Sequence, residues 1–281
     1  MFPIKKKRIL NESMTLMAVE APFIAKKALP GQFIILRVNE KGERIPLTVA
    51  DYDREAGTVT IIYQKVGKTT LLLDTLEEGD AILDFIGPLG KATELEGYRK
   101  VAVVGGGAGC AIAYPQAKAL FQMGAQVDII AGFRSRDLVI LEEEMKAASH
   151  NLIVMTDDGS NGNKGFVTDA LKERMEAGAG YDLVIAIGPL VMMKAVCNLT
   201  KPLEIKTMVS MNPIMIDGTG MCGGCRVTVG GETKFACVDG PDFDGFEVDF
   251  DEAILRSRAY QEEEQTARDE FCRLTGGVRN A

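Results

Sequence analysis

Residues 101–109 read VAVVGGGAG, an apolar, β-branched run that leads directly into a glycine-rich turn. A helical stretch from Cys110 to Met123 follows the turn. The pattern continues with QVDIIAGF at 126–133, a helix near 139–147, NLIVMTD at 151–157, a helix near 167–175 and YDLVIAIG at 181–188. Because strands that alternate with helices are the pattern of a parallel, doubly wound sheet, residues 98–207 are predicted to form an α/β domain.

The segment before this domain, residues 1–97, has the pattern of a small antiparallel barrel or sandwich. Its β-branched runs are separated by Gly, Pro, Asn and Asp, and they include GQFIILRV at 31–38, GTVTIIYQKVG at 57–67 and GDAILDFIGPLG at 79–90. One helical piece, roughly Thr69 to Glu77, lies between two of the predicted strands. Short strands at this spacing are typical of antiparallel barrels.

The pattern changes again after the α/β domain. Residues 208–245 are rich in Gly and Cys and contain short β-like pieces, including MIDGTGMCGGCRVTVGGETKFACVDGP at 215–241. Residues 246–281 form a charged tail, in which one helix is predicted between Asp251 and Leu274. The chain is therefore divided into four predicted parts: 1–97, 98–207, 208–245 and 246–281.

Composition excludes several classes of protein. The hydrophobic fraction of 46% and the charged fraction of 26% are ordinary globular values and exclude a disordered chain. A net charge of −8 argues against a nucleic-acid partner, because binding to phosphates needs a basic surface. No apolar run approaches the ~18 residues of a membrane span, and the basic N-terminus lacks the apolar region of a secretory signal. A cytoplasmic protein without a membrane partner is therefore expected.

Three of the six cysteines are close together in the sequence. Cys222 and Cys225 form a C-x2-C pair, and Cys237 follows after eleven residues. Four residues separate Cys222 from Asp217, which gives the plant-type [2Fe–2S] spacing with a carboxylate in place of the first thiolate. The adjacent glycines suit a loop that wraps round a cluster and directs backbone N–H groups at its sulfurs. A cluster is favoured; a zinc site and buried cysteines without metal are the alternatives.

Two glycine-containing turns follow predicted strands of the α/β domain. The turn Gly105–Gly109 precedes a helix, whose free N–H groups and dipole favour a phosphate. It does not satisfy G-x-G-x-x-G, so these glycines can also serve only as a tight turn. A second turn, at Gly188 and Pro189, precedes Met192. Because the carboxyl ends of strands in an open α/β sheet are where ligands bind, the two turns predict a nucleotide site.

Two stretches of the barrel could hold a phosphate or a flavin. Residues 44–48, RIPLT, place a cation and a hydroxyl close together, and residues 67–70, GKTT, have the character of a helix N-terminus. Taken alone, the first stretch is better explained by an exposed arginine and a strand-edge proline. The second is equally expected of an ordinary helix cap.

In this order and spacing the motifs resemble those of the ferredoxin–NADP reductase superfamily. The motifs are RIPLT, YQKVGKTT, GPLG at 87–90, VVGGGAG, IGPLVMM and the cysteine loop, and the resemblance covers about residues 1–245. The branch is the one that contains the electron-transfer subunit of dihydroorotate dehydrogenase and the small subunit of NADH-dependent reduced ferredoxin:NADP oxidoreductase. The aspartate at 217 resembles the second of these subunits, and the tail beyond Phe246 is longer than expected of the first.

The resemblance implies an antiparallel FAD-binding β-barrel, then a Rossmann-like parallel-sheet NAD-binding domain, with a C-terminal [2Fe–2S] loop. The implied FAD-binding residues are Arg44, Pro46, Leu47, Thr48, Ile62, Tyr63, Gln64, Gly67, Thr69 and Thr70. The implied NAD(H)-binding residues are Gly105, Gly107, Ala108, Gly109, Arg134, Gly188, Pro189 and Met192. The implied cluster ligands are Asp217, Cys222, Cys225 and Cys237. NAD(H) rather than NADP(H) is expected on the resemblance alone.

The resemblance also implies a function. The chain would exchange hydride with NAD(H) at FAD and pass electrons through the cluster to or from a larger subunit with flavin and [4Fe–4S] groups. Ferredoxin and NADP(H) would be reached indirectly, through that partner in a heterodimer. The alternatives are the electron-transfer subunit of dihydroorotate dehydrogenase and a non-enzymatic, zinc-stabilised nucleotide-binding subunit. With one histidine, His150, the chain has little scope for acid–base catalysis, and hydride transfer needs none.

Overall fold

The N-terminal part of the computed structural model, which describes residues 1–274, is a seven-stranded antiparallel sheet. Its strands are β1 (Phe2–Asn11), β2 (Met14–Glu20), β3 (Phe33–Arg37), β4 (Ile45–Asp53), β5 (Thr58–Gln64), β6 (Ala81–Ile82) and β7 (Asp84–Leu89). Two short helices, α1 (Pro22–Ala25) and α2 (Lys68–Asp74), belong to the same part. The predicted helix at 69–77 is thus confirmed with slightly earlier bounds.

The sheet curls into a nearly closed barrel, as predicted. The strand order is β6-β1-β2-β5-β4-β3-β7, so the two edge strands are consecutive segments joined only by Leu83. The backbone N–H of Leu83 donates to the carbonyl of Val38 (3.2 Å). Alternate residues of β3 and β5, among them Ile34, Ile61 and Tyr63, fill the interior.

The remaining strands and helices follow in chain order. The strands are β8 (Lys100–Gly106), β9 (Gln126–Phe133), β10 (Asn151–Thr156), β11 (Leu183–Ile187), β12 (Thr207–Ser210), β13 (Arg226–Val229), β14 (Glu232–Phe235) and β15 (Asp242–Asp244). The helices are α3 (Gly109–Gln122), α4 (Glu142–Ala147), α5 (Val167–Glu176), α6 (Leu190–Thr200), α7 (Phe250–Arg256) and α8 (Gln261–Leu274), with single 3₁₀ turns at Arg136–Leu138 and Lys201–Leu203. Across residues 1–274, no helix has both the length and the apolar character needed to cross a membrane.

The second sheet has the order β10-β9-β8-β11-β12-β15. Its first five strands are parallel, and β15 runs antiparallel to β12. The central strands β8 and β11 are covered on both faces, which explains why their sequences are continuous apolar runs. The predicted parallel sheet is confirmed. In chain order, the cysteine segment and its hairpin β13–β14 come after β12 and before β15, whereas in the sheet β12 and β15 are neighbours. The sheet therefore includes residues beyond the predicted boundary at 207/208.

The tail contains two helices instead of the single predicted helix. Helix α7 ends at Arg256, and a four-residue turn, Ser257–Tyr260, separates it from α8. Helix α7 is attached to the α/β domain through the ion pair of Asp251 with Lys194 on α6 (2.6 Å). Helix α8 lies against α2 of the barrel, so the tail reaches from one domain to the other. Residues 275–281 of the predicted tail lie outside the described residues.

A buried polar contact joins the barrel to the second sheet. Thr93, just after the barrel, donates to Asp242 Oδ2 of β15 (2.5 Å). The side-chain amide of Gln116 on α3 donates to both of these groups (2.8 and 3.0 Å). Burial raises the pKa of Asp242 to about 6, against the opposing effect of hydrogen bonds from Ser210 and Thr93. The contact therefore links the two sheets, and within residues 1–274 it leaves Gln116 Oε1 and Asp242 Oδ1 buried without a hydrogen-bond partner.

Candidate functional site

A cleft of about 1020 Å³ separates the barrel from the carboxyl end of the parallel sheet. In the sheet, β8 lies between β9 and β11, so the strand order reverses direction at β8. The cleft lies at this switch point, which is where open α/β sheets bind ligands. The predicted residues that line it are Pro46, Leu47, Thr48, Ile62, Tyr63, Gln64, Gly107, Ala108, Gly109, Arg134, Gly188 and Pro189. The structure thus brings most of the predicted FAD and NAD(H) residues to one cavity.

The glycine-rich turn leaves backbone exposed to this cleft. Gly107 has a φ of +55°, its N–H donates to the carbonyl of Gly132 (2.8 Å), and a Cβ built on it meets no atom within 4 Å. No side chain caps the N-terminus of the 14-residue helix α3 that follows. Open space in front of free helix N–H groups suits a phosphate, so the turn fits a dinucleotide.

Gly105 and Met192 belong to the predicted site but lie behind the turn and do not line the cleft. A Cβ on Gly105 would be 2.8 Å from Cys110 Sγ, and a Cβ on Gly106 would be 2.5 Å from Met192 Sδ. The side chains of Cys110 and Met192 therefore pack closely against the turn, so a Cβ at Gly105 or Gly106 would clash unless they moved.

The barrel residues differ in what they present to the cleft. The side chain of Tyr63 points into the barrel, where its hydroxyl donates to Asp74 Oδ1 (3.2 Å). Burial, with the Asp74 carboxylate nearby, raises the pKa of Tyr63 well above its usual range. Because side chains alternate along a strand, Ile62 and Gln64 face the other way. Tyr63 therefore offers the cleft its backbone only.

Gly67, Thr69 and Thr70 lie at the start of α2 and are not among the residues that line the cleft. Thr70 Oγ1 accepts from the backbone N–H groups of Val66 and Gly67 (3.1 Å each). The hydroxyl of Thr69 donates to Glu43 (3.4 Å). These bonds are the ones an ordinary helix cap makes, so the proposed pyrophosphate role of the three residues depends on the resemblance.

Arg44, a predicted FAD residue, is not among the residues that line the cleft and instead connects the barrel to the cysteine loop. Its Nε donates to the carbonyl of Ile216 (2.8 Å) and its Nη2 to the carbonyl of Asp217 (3.3 Å). A guanidinium carries five N–H donors, so further donors remain for a phosphate. The loop is also packed directly on the barrel, because a Cβ on Gly218 would lie 2.6 Å from Ile35 Cδ1. The cysteine loop and the RIPLT stretch of the barrel are therefore neighbours.

The cysteine loop carries three thiols with different environments. Cys225 and Cys237 are buried with their sulfurs 3.2 Å apart, whereas Cys222 is exposed. Burial and the neighbouring Cys225 raise the pKa of Cys237 to about 11. Hydrogen bonds from the backbone N–H groups of Gly224 and Asp217 lower the pKa of Cys222. Thiols with N–H groups directed at their sulfurs are the donor set of an iron–sulfur cluster, so the loop fits one.

The position of Asp217 is compatible with two roles. Its Oδ2 accepts from Thr219 N (2.9 Å), Thr219 Oγ1 (2.5 Å) and Met221 N (3.2 Å), the pattern of a turn-capping aspartate. These hydrogen bonds lower the pKa of Asp217. Within the described residues no group donates to Oδ1, which leaves that oxygen for a metal. Across residues 1–274, no three His, Cys, Asp or Glu side chains are already arranged as a metal site.

Sequence reasoning missed several residues of the cleft. Ser210 ends β12, and the rule about strand carboxyl ends that selected Gly188 would have selected it too. Met211 and Met215 follow it along the same wall. The tail contributes four more residues, Ile254, Ser257, Arg258 and Gln261, for which no local signal exists.

Comparisons with known proteins agree with this geometry. Residues 103–198 match the model of the oxidoreductase NAD-binding domain, and residues 212–249 match that of the iron–sulfur cluster binding domain of dihydroorotate dehydrogenase B. The dihydroorotate dehydrogenase B (NAD(+)) electron transfer subunit homolog of Thermotoga maritima is 46% identical over 273 residues, covering 97% of this chain and 96% of the relative. The electron transfer subunit of Fusobacterium nucleatum is 32% identical over 244 residues, covering 84% and 92%.

The chain belongs to the family of dihydroorotate dehydrogenase B electron-transfer subunits and their homologues. A solved structure of NADH-dependent reduced ferredoxin-NADP oxidoreductase, described for flavin-based electron bifurcation, contains a similar chain: the TM-score is 0.91 at 44% identity, covering 96% of this chain and 98% of that one. The predicted ferredoxin–NADP reductase fold and the oxidoreductase class are thereby confirmed. FAD, NAD(H) and an iron–sulfur cluster are the cofactors of this family, as predicted.

Replacing Gly107 with Val should lower the rate of flavin reduction by NADH at least about 100-fold, because a side chain at this φ would displace the turn and fill the phosphate space. Dithionite should still reduce the bound flavin. Stopped-flow absorbance measures both. Gly124→Val is the matched control, since Gly124 also has a positive φ and an open Cβ direction but does not line the cleft. Unchanged NADH kinetics in Gly107→Val would place the dinucleotide elsewhere.

Replacing Arg44 with Ala should raise the flavin dissociation constant about 10- to 100-fold, because a charge-assisted bond to phosphate is lost. Flavin fluorescence after dilution and gel filtration measures the retention. Arg54→Ala is the control: Arg54 is another barrel arginine, outside the RIPLT stretch, whose guanidinium donates to the carbonyl of Ala28 (3.2 Å). Full flavin retention in Arg44→Ala would show that the RIPLT assignment is wrong.

Asp217 can be tested with three substitutions. Asp217→Cys should keep the cluster with a shifted potential and altered paramagnetic resonance, because ligand identity tunes both. Asp217→Asn should keep the acceptor for the turn but weaken the ligand, and Asp217→Ala should lose iron. Asp239→Ala, an aspartate that accepts from Phe235 N (2.8 Å) in the same segment, should keep the wild-type signal. Full iron with a wild-type resonance in all three Asp217 variants would show that Asp217 only caps the turn.

Proposed function

We propose that this chain is the small subunit of an NADH-dependent reduced ferredoxin:NADP oxidoreductase. In this role it exchanges hydride with NAD(H) at FAD and passes electrons through a [2Fe–2S] cluster to or from a larger subunit. The observation that carries the proposal is the shared cleft: its walls include Pro46–Thr48 of the barrel, the Gly107–Gly109 turn, and Met215 at the start of the cysteine loop. Sites for a flavin, a dinucleotide and a cluster therefore adjoin one another.

Each wall of the cleft has a distinct task under this proposal. Pro46–Thr48 and Ile62 hold the flavin, and the Gly107–Gly109 turn holds the NAD(H) pyrophosphate with Arg134 beside it. Gly188 and Pro189 shape the floor on which the nicotinamide is placed. A bound flavin supplies the chemistry that joins two-electron hydride exchange to one-electron carriers. The chain needs no acid or base side chain for this step and acts by placement and exclusion of water.

Under this proposal, the cysteine loop provides the route by which electrons leave or enter the chain. Asp217, Cys222, Cys225 and Cys237 are the proposed ligands, and Arg44 with Gly218 holds their loop against the barrel. Cys222 and the adjacent Met221 are exposed, so this side of the loop is open to a partner. A larger subunit that carries flavin and [4Fe–4S] groups would dock there, and ferredoxin and NADP(H) would react on that subunit. We place the complex in the cytoplasm.

Two features favour this subunit over that of dihydroorotate dehydrogenase. Identity to the chain in the oxidoreductase structure is 44% over 96% of the sequence, against 32% and 36% for the subunits of Fusobacterium nucleatum and a Geobacillus species; the 46% identical chain of Thermotoga maritima is named as a homolog of that subunit. The matched cluster domain ends at residue 249, whereas this chain continues with two more helices. Both features favour the same subunit as Asp217, whose position in the cysteine loop resembles that subunit.

The test is isolation of the chain with its partner under anaerobic conditions. We expect flavin and iron–sulfur absorption, bleaching by NADH, and co-purification of a subunit with flavin and [4Fe–4S] groups. Mass spectrometry and iron, sulfide and flavin assays measure each. A partner that oxidises dihydroorotate would replace the proposal with the alternative branch. A colourless, zinc-containing chain would overturn both, since zinc does not absorb in the visible range.

A further inference from the structure

The C-terminal tail contributes a wall of the cleft. Ile254 on α7, Ser257 and Arg258 in the turn, and Gln261 at the start of α8 line the same cavity as the Gly107–Gly109 turn. None of these residues belongs to a motif that the sequence analysis selected. All of them lie beyond residue 249, where the matched cluster domain ends. The tail therefore adds to the cleft a surface that the two matched domains do not supply.

The turn that carries Arg258 is held from both sides. On one side, α7 is fixed to the α/β domain by the Asp251–Lys194 ion pair (2.6 Å) and by Thr228 on β13, whose hydroxyl donates to Glu252. On the other side, α8 lies against α2 of the barrel. A segment anchored to both domains bridges the cleft between them, so Arg258 is positioned by the fold and is not on a free end.

The charged residues that line the cleft favour an anionic ligand. The protein carries a net charge of −8, yet the charged residues that line the cleft are Glu12, Arg134 and Arg258, which together leave an excess of one positive charge. Arg258 is exposed, and within the described part of the chain no carboxylate forms an ion pair with it. An arginine in a cleft without a protein partner retains its donors for a ligand.

We propose that Arg258 binds the pyrophosphate of a dinucleotide in this cleft. A guanidinium matches two phosphate oxygens at once and makes a charge-assisted bond to them. FAD and NAD(H) both contain a pyrophosphate; α8 lies against α2 of the barrel, and the tail lines the same cavity as the glycine-rich turn. The inference rests on the proposed function only in that the cleft takes these dinucleotides. It assigns the tail a binding role of its own.

The experiment compares Arg258→Ala, Arg258→Lys and Arg268→Ala in the full chain. Arg268 lies on α8, is exposed and does not line the cleft, so Arg268→Ala removes the same charge from the same helix pair. The dissociation constant of NAD⁺ is measured by calorimetry on the oxidised holoprotein. Flavin release after dilution is followed by fluorescence. Thermal melts of the three variants report on folding.

We expect Arg258→Ala to raise one of the two dissociation constants about tenfold, the size of one charge-assisted bond, with Arg268→Ala unchanged. The dissociation constant of Arg258→Lys should lie between those of the wild type and Arg258→Ala, because an ammonium keeps the charge but not the paired donors. Weaker NAD⁺ binding identifies NAD(H) as the ligand, and faster flavin release identifies FAD. If Arg258→Ala and Arg268→Ala bind NAD⁺ and FAD equally well, and the wild type binds both, the role of Arg258 is overturned and the proposed function is not. A wild-type chain that binds neither dinucleotide would overturn the proposed function with it.

Discussion

The hydrogen-bonded set of Thr93, Gln116 and Asp242 determines how the barrel faces the parallel sheet. The three side chains come from the end of the barrel, from α3 and from β15, and they are enclosed where the domains meet. Thr93 and Gln116 both donate to Asp242 Oδ2, and a docking angle that broke these bonds would leave further buried groups unpaired at about 1–3 kcal/mol each. The ion pair between Lys118 on α3 and Asp51 on β4 (2.8 Å) strengthens the same orientation from the surface.

Under the proposed function, the barrel, the parallel sheet and the cysteine loop each take one of three binding tasks around the same cleft. The barrel supplies residues 46–48 and 62–64, and the parallel sheet supplies the Gly107–Gly109 turn. The cysteine loop is pinned to the barrel by Arg44 and by the close contact of Gly218 with Ile35. Function in such a protein depends on distances between sites. Residues that set these distances therefore matter as much as those that touch a ligand.

Local sequence signals predicted most of this arrangement. Strand periodicity and glycine turns act over a few residues, so the barrel, the parallel sheet and the Gly107 turn could be derived directly. Contacts between distant segments could not: nothing near Arg44 in the sequence indicates its bonds to Ile216 and Asp217. The break in the tail was also missed, because it contains neither Gly nor Pro. Tyr63 was expected along the flavin, yet strand alternation turns its side chain inward.

The sequence separation of Thr93 and Asp242, 149 residues, has a consequence for biosynthesis. Every strand pair of the barrel lies within residues 2–89, so the barrel can form while the rest of the chain is still being made. The junction with the second sheet requires Asp242, and the tail that lines the cleft is synthesised after it. A ribosome-bound chain that ends before Asp242 can form the barrel but has an incomplete cavity. The complete cavity, with its tail residues, is therefore expected only once the polypeptide is finished.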